Sequence, residues 1–252
     1  MGRPYNTQRE IYRLNKMRVI FKINNTLCVF RQGKTSNKKI AESNEKIVQT
    51  YHFSRGQFDV AQRKTTMAEF FSHDADVCMD CPFAVSNGAK LSACYTHKFM
   101  QYSGFVTMLR SIGNQTTWDD IPEFNEDIER DILKMCNLKY VRFGTYGEPS
   151  LLPYHLASSI CALSKSWTGY THQWHKRPEY STLFMASTHN EIGEEHASQN
   201  GWRSFVASAR GIKGLVSCPA SKEMGFKSNC SKCGLCSGTE GKGNKSVVIL
   251  EH

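Results

Sequence analysis

Four cysteines crowd one short segment near the C-terminus of this chain. Cys230, Cys233 and Cys236 stand at CxxCxxC spacing, and Cys218 precedes them. A two-residue gap lets consecutive sulfurs converge on one centre, the arrangement that holds zinc or an iron–sulfur cluster. Zinc takes four ligands tetrahedrally, and these four cysteines can supply all of them. The CxxCxxC run with a remote fourth cysteine is more typical of a [4Fe–4S] cluster. Gly234 and Gly238 let the backbone curl there and offer N–H groups to sulfur. His252 is an alternative ligand at the chain's end.

A second group lies upstream, Cys78, Cys81 and Cys94, so seven of the ten cysteines fall into two ligand-like groups. Three cysteines with no obvious fourth can leave one iron of a cubane open to an outside ligand. That is the chemical requirement for holding and reductively cleaving S-adenosylmethionine. Zinc completed by His73 or His97 is the other reading of the trio, and a single site pooled from both groups is a third. Cys28, Cys136 and Cys161 sit in apolar contexts and read as buried thiols.

A third feature is Arg142-Phe143-Gly144-Thr145-Tyr146-Gly147-Glu148-Pro149. A strand ends, a glycine turn follows, and an acid stands at the strand's C-terminal edge, where ligands bind in parallel α/β folds. Glu148 could bind an ammonium group there, or cap the helix that follows Pro153. Further on, His155, His172, Trp174 and His175 could line a pocket or stack on bases, or fill core and rim. Lys165, Lys176 and Arg177 could meet phosphate or only solvent. There is no P-loop, dinucleotide fingerprint or nucleophile elbow.

The elements that must carry these residues follow from pattern. Met17–Ile23 and Thr26–Arg31 read as strands of a hairpin turning at Asn24-Asn25. Gly33–Asn44 is polar and lysine-rich, a loop. Thr117, Pro122 and the acids after Trp118 signal a helix start; Ile121, Phe124, Ile128, Ile132 and Met135 continue as its apolar stripe. Strands over Lys139–Gly144, Trp167–His172, Leu183–Thr188 and Trp202–Ala207 then alternate with helices over Pro153–Lys165 and Glu191–Gln199. That alternation implies βα units and a parallel sheet, open or a partial barrel. A last strand, Ser246–Glu251, closes a cysteine-rich tail. The organisation expected is an N-terminal extension (1–66), an α/β core carrying the upstream cysteines (67–210) and a C-terminal cysteine-rich segment (211–252).

With 252 residues the chain can bury a real core. No apolar run is long enough to span a bilayer and no apolar signal segment opens the chain, so a reducing cytoplasm is expected, where clustered cysteines bind metal rather than pair. The formal charge of +9 favours an anionic partner, nucleic acid first, although a solvated basic surface has the same composition. Much of the excess is local: Lys213, Lys222, Lys227, Lys232, Lys242 and Lys245 surround the tail cysteines.

Gly147-Glu148-Pro149-Ser150-Leu151-Leu152-Pro153 resembles the GGEP segment of radical S-adenosylmethionine enzymes, with Tyr146 in place of the first glycine. Cys78, Cys81 and Cys94 precede it, as the cluster cysteines do in that family, though at wider spacing. Tyr95 adjoins the last of them, on the opposite side from the family's usual aromatic. The chain is also similar to a group of small phage-encoded cysteine-rich proteins, through Cys78–Tyr95, Gly144–Pro149, Gly169-Tyr170-Thr171-His172 and Cys218–Gly238. The resemblance implies a partial (β/α) barrel of radical-SAM-like type and one or two [4Fe–4S] clusters. It further implies S-adenosylmethionine contacted by Tyr95, Gly147, Glu148 and Pro149, and an auxiliary cluster in the tail. A nucleic acid or nucleotide substrate, a reductant protein and the cytoplasm of a host cell are the expectations that go with it. Against it stands a non-catalytic metal-stabilised protein, held by zinc or iron–sulfur, that binds nucleic acid.

Overall fold

The computed structural model describes residues 17–225 and 227–250. His252, proposed above as an alternative ligand, and residues 1–16 of the expected extension lie outside them. The chain forms two compact units, one from the residues up to Arg31 with Thr50–Ile132, the other from Gln32–Gln49 with Leu133 and everything after it.

In the first unit β1 (Arg18–Ile23) and β2 (Thr26–Lys34) make the expected antiparallel hairpin, with Ile23 opposite Thr26. Asn24 adopts φ 53°, the left-handed turn conformation that Asn tolerates. β3 (Lys46–Ser54) lies next in the sheet. Its end passes directly into α1 (Arg55–Ala61) through a capping box: Ser54 Oγ accepts from Gln57 N at 3.1 Å, and Gln57 Oε1 accepts from Ser54 N at 3.2 Å. Two short helices follow, α2 (Met67–Ser72), capped by Thr66, and α3 (Ala75–Cys78). Then α4 (Phe99–Gly113) buries Phe105, Val106, Met108, Leu109 and Ile112. The core is aromatic: Phe53 meets Phe70 and Phe105 with ring centroids 6.5 and 5.7 Å apart in edge-on geometry.

The helix expected from Pro122 begins later, as α5 (Glu126–Cys136). Pro122 and Phe124 are engaged elsewhere: Lys22 N donates to Pro122 O at 2.8 Å and Phe124 N to Lys22 O at 2.9 Å. That pairing with β1 uses the backbone groups a helix would need. Asn125 caps instead, its Oδ1 accepting from Ile128 N at 3.1 Å.

The second unit is built on parallel strands. β4 (Tyr140–Tyr146) pairs with β5 (Ser166–Thr168), joined by α6 (Tyr154–Leu163). The strand expected over Trp167–His172 is broken at Gly169 into β5 and β6 (Tyr170–Thr171). A Cβ on Gly169 would stand 2.5 Å from the Phe184 ring, so only glycine fits. β6, β7 (Met185–Thr188) and β8 (Ser204–Ser208) continue in parallel, with α7 (Glu191–Gln199) between the last two. β10 (Val247–Leu250) does not merely close the tail. It inserts in parallel between β8 and β9 (Val216–Ser217), giving the order β6-β7-β8-β10-β9. The fold is mixed α/β with parallel strands, and the strands do not close into a barrel among the described residues. Among them, no helix is long and apolar enough to cross a membrane.

One buried group ties stability to pH. His52 on β3 is 0% exposed with neither ring nitrogen partnered, and burial holds its pKa down at about 3. The unfolded chain takes up a proton near pH 6.5 that the folded chain refuses down to about pH 3. Stability is therefore full above that range and falls as the pH drops, by up to about 1.4 kcal/mol per pH unit from this group. His52→Leu should flatten the fall measured by urea unfolding between about pH 4 and 7, and raise the midpoint near neutrality.

Candidate metal centre

β9 delivers the first tail cysteine. Cys218 follows it directly, and its N–H donates to Val248 O on β10 at 2.9 Å. Cys230 and Cys233 bound α8 (Cys230–Cys233), a single turn. Asn229 Oδ1 caps it by accepting from Lys232 N at 3.1 Å, and Gly234 stops it at φ 64°. The turn is fastened to the loop before β3: Cys230 N and Ser231 N donate to Lys39 O and Ile40 O, both at 2.9 Å. Lys232 Nζ reaches Glu42 and Ser231 Oγ reaches Glu45, both at 2.7 Å. Cys236 comes to the break in the sheet, its carbonyl accepting from Gly169 N at 3.0 Å. Gly238 then passes so close to Thr182 that a Cβ would stand 2.2 Å from its carbonyl carbon.

These segments bring the cysteines together. Cys218 and Cys236 are buried in one cluster with Met185, Ala220 and Val247, and Cys230 and Tyr170 pack against it. Tyr170 on β6 and Phe205 on β8, the two strands that flank β7, meet in tilted geometry with ring centroids 4.2 Å apart beside it. Burial raises the thiol pKa of Cys218, Cys230 and Cys236, and the other sulfurs of the group, Cys233 included, push each of them further up. The Tyr170 hydroxyl donates to Cys236 and works against that rise. All ten cysteines are free thiols.

Among the described residues no set of three or more His, Cys, Asp or Glu side chains is arranged to hold a metal ion. The tail thiols nonetheless fit a thiophilic centre. Cys218 and Cys236 are buried, Cys230 and Cys233 are half-buried, and none of the four is paired in a disulfide. A metal that binds thiolate removes both the protons and the mutual repulsion.

The upstream cysteines lie in the first unit on short, tightly bonded turns. Cys78 ends α3, and Cys81 N donates back to Cys78 O at 3.0 Å. Met79 between them adopts φ 50°, ψ −122°, a conformation that favours glycine. Asn87 Nδ2 holds this turn from outside, donating to Met79 O at 2.6 Å and Cys81 O at 2.9 Å. Buried Asp74 fixes the next segment by accepting from Val85 N and Ser86 N, both at 3.0 Å. Cys94 Sγ lies 3.1 Å from Thr96 Oγ1, and His97 N donates to Cys94 O at 2.9 Å. His97 is buried against Phe71 at 4.3 Å, while His73 lies over Gly56. Tyr95 is exposed.

Glu148 is the expected ligand acid whose surroundings differ most from the expectation. Gly144, at φ 60°, lies within β4, Gly147, at φ 77°, turns the chain out of it, and Glu148 ends 3% exposed. Its Oε1 accepts from Ser150 N at 3.3 Å and Ser150 Oγ at 3.0 Å; its Oε2 accepts from His172 N at 3.0 Å. The Thr171 hydroxyl donates as well. Burial raises its pKa, and these four donors oppose the rise. Four donors fill the acceptor sites of a carboxylate. Glu148 thus caps the 3₁₀ turn Pro149–Leu151 and joins the C-terminal edges of β4 and β6. It does not fit as the grip on a cofactor's ammonium group.

Beyond that edge the expected ring cluster forms with different members. His172 stacks on His189 at 5.4 Å, and its pKa is held at about 3 by burial and by His189. Trp174 meets His175 at 5.5 Å and His196 on α7 at 5.4 Å. His155 stands exposed on α6. Arg177 is bonded to Glu179 at 2.8 Å and Lys165 lies 3.9 Å from Glu45, so neither is a bare phosphate site. Sequence reading passed over His189 and His196, and quoted Tyr170 only within the Gly169–His172 segment of the resemblance; the position of His189 just beyond a strand end was the available signal.

The chain matches no family model, no curated protein and no solved structure.

Removing the Glu148 carboxylate should leave buried N–H and O–H donors unmet. Glu148→Ala is expected to lower stability by about 1–3 kcal/mol, seen as a lower urea midpoint at unchanged slope.

Proposed function

We propose that this chain is an iron–sulfur protein resembling radical S-adenosylmethionine enzymes, with Cys218, Cys230, Cys233 and Cys236 holding a [4Fe–4S] cluster and a nucleic acid or nucleotide as substrate. The observation that carries the reading is the burial of Cys218 and Cys236 in one cluster, with half-buried Cys230 and Tyr170 packed against it. Iron–sulfur is preferred to zinc on the CxxCxxC spacing with its remote fourth cysteine. The parallel βα order of the second unit suits the barrel-like scaffold of such enzymes. Cys78, Cys81 and Cys94 are the three thiolates of the second centre on this reading, with one iron left open. A cluster bound in either place supplies one-electron chemistry. The chain's own part is to bury the tail centre and to offer an excess of cations, including the exposed lysines around the tail, to a polyanion.

A second reading has its own support. Because Glu148 spends its carboxylate inside the fold, both centres could be structural in a protein that binds nucleic acid without turning it over. Such binding weakens steeply as salt rises.

Anaerobically purified protein should carry iron and sulfide and absorb near ~400 nm, the broad thiolate-to-iron absorption of cysteine-held clusters. Cys233→Ala should lose the tail cluster's share of both. Colourless protein containing zinc would overturn the iron–sulfur reading. Under dithionite with S-adenosylmethionine, release of 5′-deoxyadenosine supports catalysis. Intact clusters without release, together with salt-sensitive binding of single-stranded DNA or RNA, select the second reading.

A further inference from the structure

Strands of the second unit end in buried polar side chains that the fold does not bond. Gln173, two residues past β6, is 1% exposed, and neither its Oε1 nor its Nε2 has a hydrogen-bond partner. Thr188, the last residue of β7, is 4% exposed, and its Oγ1 has none either. Thr171 stands opposite Ala186 in the ladder, so Gln173 and Thr188, each two residues further on, come side by side at this edge. The rings of His172 and His189, their chain neighbours, are stacked 5.4 Å apart. A third buried hydroxyl without a partner, Thr145 Oγ1, lies one residue from the end of β4.

The backbone of Gln173 is fully used and holds the residue in place. Its N donates to Thr171 Oγ1 at 2.9 Å, and its O accepts from Lys176 N and Arg177 N, both at 2.9 Å. Only the amide is unspent. A buried amide without partners costs more than a leucine of similar size would, and nearly all buried polar groups in folded proteins are bonded. The C-terminal edge of parallel strands is also where such folds bind ligands.

The other groups at this edge narrow the ligand's chemistry. Burial, and then His189, hold the His172 pKa at about 3, so its ring is neutral. Glu148 already has its four donors. Arg177 bonds Glu179 at 2.8 Å and the Tyr180 hydroxyl at 3.1 Å. The first turn of α7 adds Glu191 and Glu194. An anion is poorly served by this set. An amide offers a donor and an acceptor side by side, the complement of a nucleobase edge. Half-buried Trp174 and the imidazole rings offer faces on which a base can stack.

We propose that Gln173 reads the edge of an uncharged nucleobase at the C-terminal ends of β6 and β7, with the Thr188 hydroxyl as a second contact. The inference deepens the nucleic acid or nucleotide part of the reading above and rests on it for the source of the base; it needs no metal.

The test is calorimetric titration of anaerobically purified full-length protein with adenosine, guanosine, cytidine and uridine, and with ribose 5-phosphate as the probe that lacks a base. At least one nucleoside should bind, and ribose 5-phosphate should not. Gln173→Leu should weaken that nucleoside about 5- to 150-fold, the loss of one bidentate base contact. It should also raise the urea midpoint of the free protein, because it removes two unmet polar atoms and breaks no bond. Thr188→Val should weaken binding about 2- to 10-fold, one neutral hydrogen bond, and it decides the matter if Gln173→Leu does not fold. Wild type that binds none of the four nucleosides, or binds ribose 5-phosphate as well as any of them, would overturn the proposal. So would unchanged affinity in the variants, or a lower urea midpoint in Gln173→Leu, which would show the amide already spent in the free protein. A single-stranded oligonucleotide whose binding weakens in the same variants makes the base one of a nucleic acid; nucleoside binding without it makes the base that of a free nucleotide. Protein free of iron that still binds a nucleoside overturns the iron–sulfur reading and leaves this inference standing. Iron–sulfur protein that binds single strands but no nucleoside overturns this inference alone.

Discussion

The segment from Leu235 to Lys245 in the tail of this chain is held by one buried fork, that of Arg203, and β10 after it by its parallel ladder with β8. From Gly211 to Leu250 the regular structure amounts to β9, one turn of helix and β10. Few of its peptide groups therefore find partners in a sheet. Arg203 takes four of its carbonyls and thereby fixes the segment from Leu235 to Lys245 against β8. The position of Cys236, its carbonyl bond to Gly169 and its contact with Tyr170 all depend on that clamp. So does the gap in the parallel sheet, because Gly169 donates out of the sheet to Cys236 O instead of continuing the ladder.

Glu148 makes the complementary clamp within the same unit. It accepts where Arg203 donates, drawing in N–H and hydroxyl groups from the turn after β4 and from the end of β6. Both residues are ionisable, buried and satisfied mainly by local groups rather than by an opposite charge. The difference lies in what surrounds them. Glu148 has as many donors as its oxygens can accept, so its burial is accounted for by the fold. Arg203 has carbonyl dipoles only among the described residues. Motif reading singled out Glu148, because an acid after a glycine turn looks like a ligand, and did not consider Arg203 at all.

What was legible in the sequence was whatever is written locally. The Asn24-Asn25 turn, the α7 helix from Glu191 to Gln199 and the alternation of strands with helices after Lys139 all carry their own periodicity and punctuation. The grouping of the tail cysteines was legible for the same reason. β3 was not, because Lys46–Ser54 is buried on both faces over most of its length and lacks the alternation that marks a half-buried strand. α4 was not, because Gly104, several aromatic and β-branched residues and exposed Phe99 and Met100 blur its helical stripe. The start of α5 was misplaced because Pro122 and Phe124 answer to β1, a partner far away in sequence. Arg203 could not be found this way at all: its acceptors lie 32 to 42 residues along the chain, and no spacing rule connects them.

The two cysteine groups differ in a way that bears on their roles. Cys218 and Cys236 are packed into a core cluster with Cys230 against it, and bulk solvent has little approach to either of the first two. A centre in such surroundings is suited to hold structure or to pass electrons over a short distance, since neither needs a substrate to touch it. The upstream turns are fixed by Asp74 and Asn87 but emerge at a surface where Tyr95 is 57% exposed, Phe99 68% and Met100 77%. Lys90 and Lys98 stand exposed in the same stretch. Aromatic faces beside lysines are what unstacked bases and their phosphates pair with. The better-formed motif in the tail lies toward the interior of its unit, while the upstream turns reach the surface of theirs. The strength of a ligand motif measures how tightly a centre is built, and a tightly built centre is the one a macromolecule reaches least.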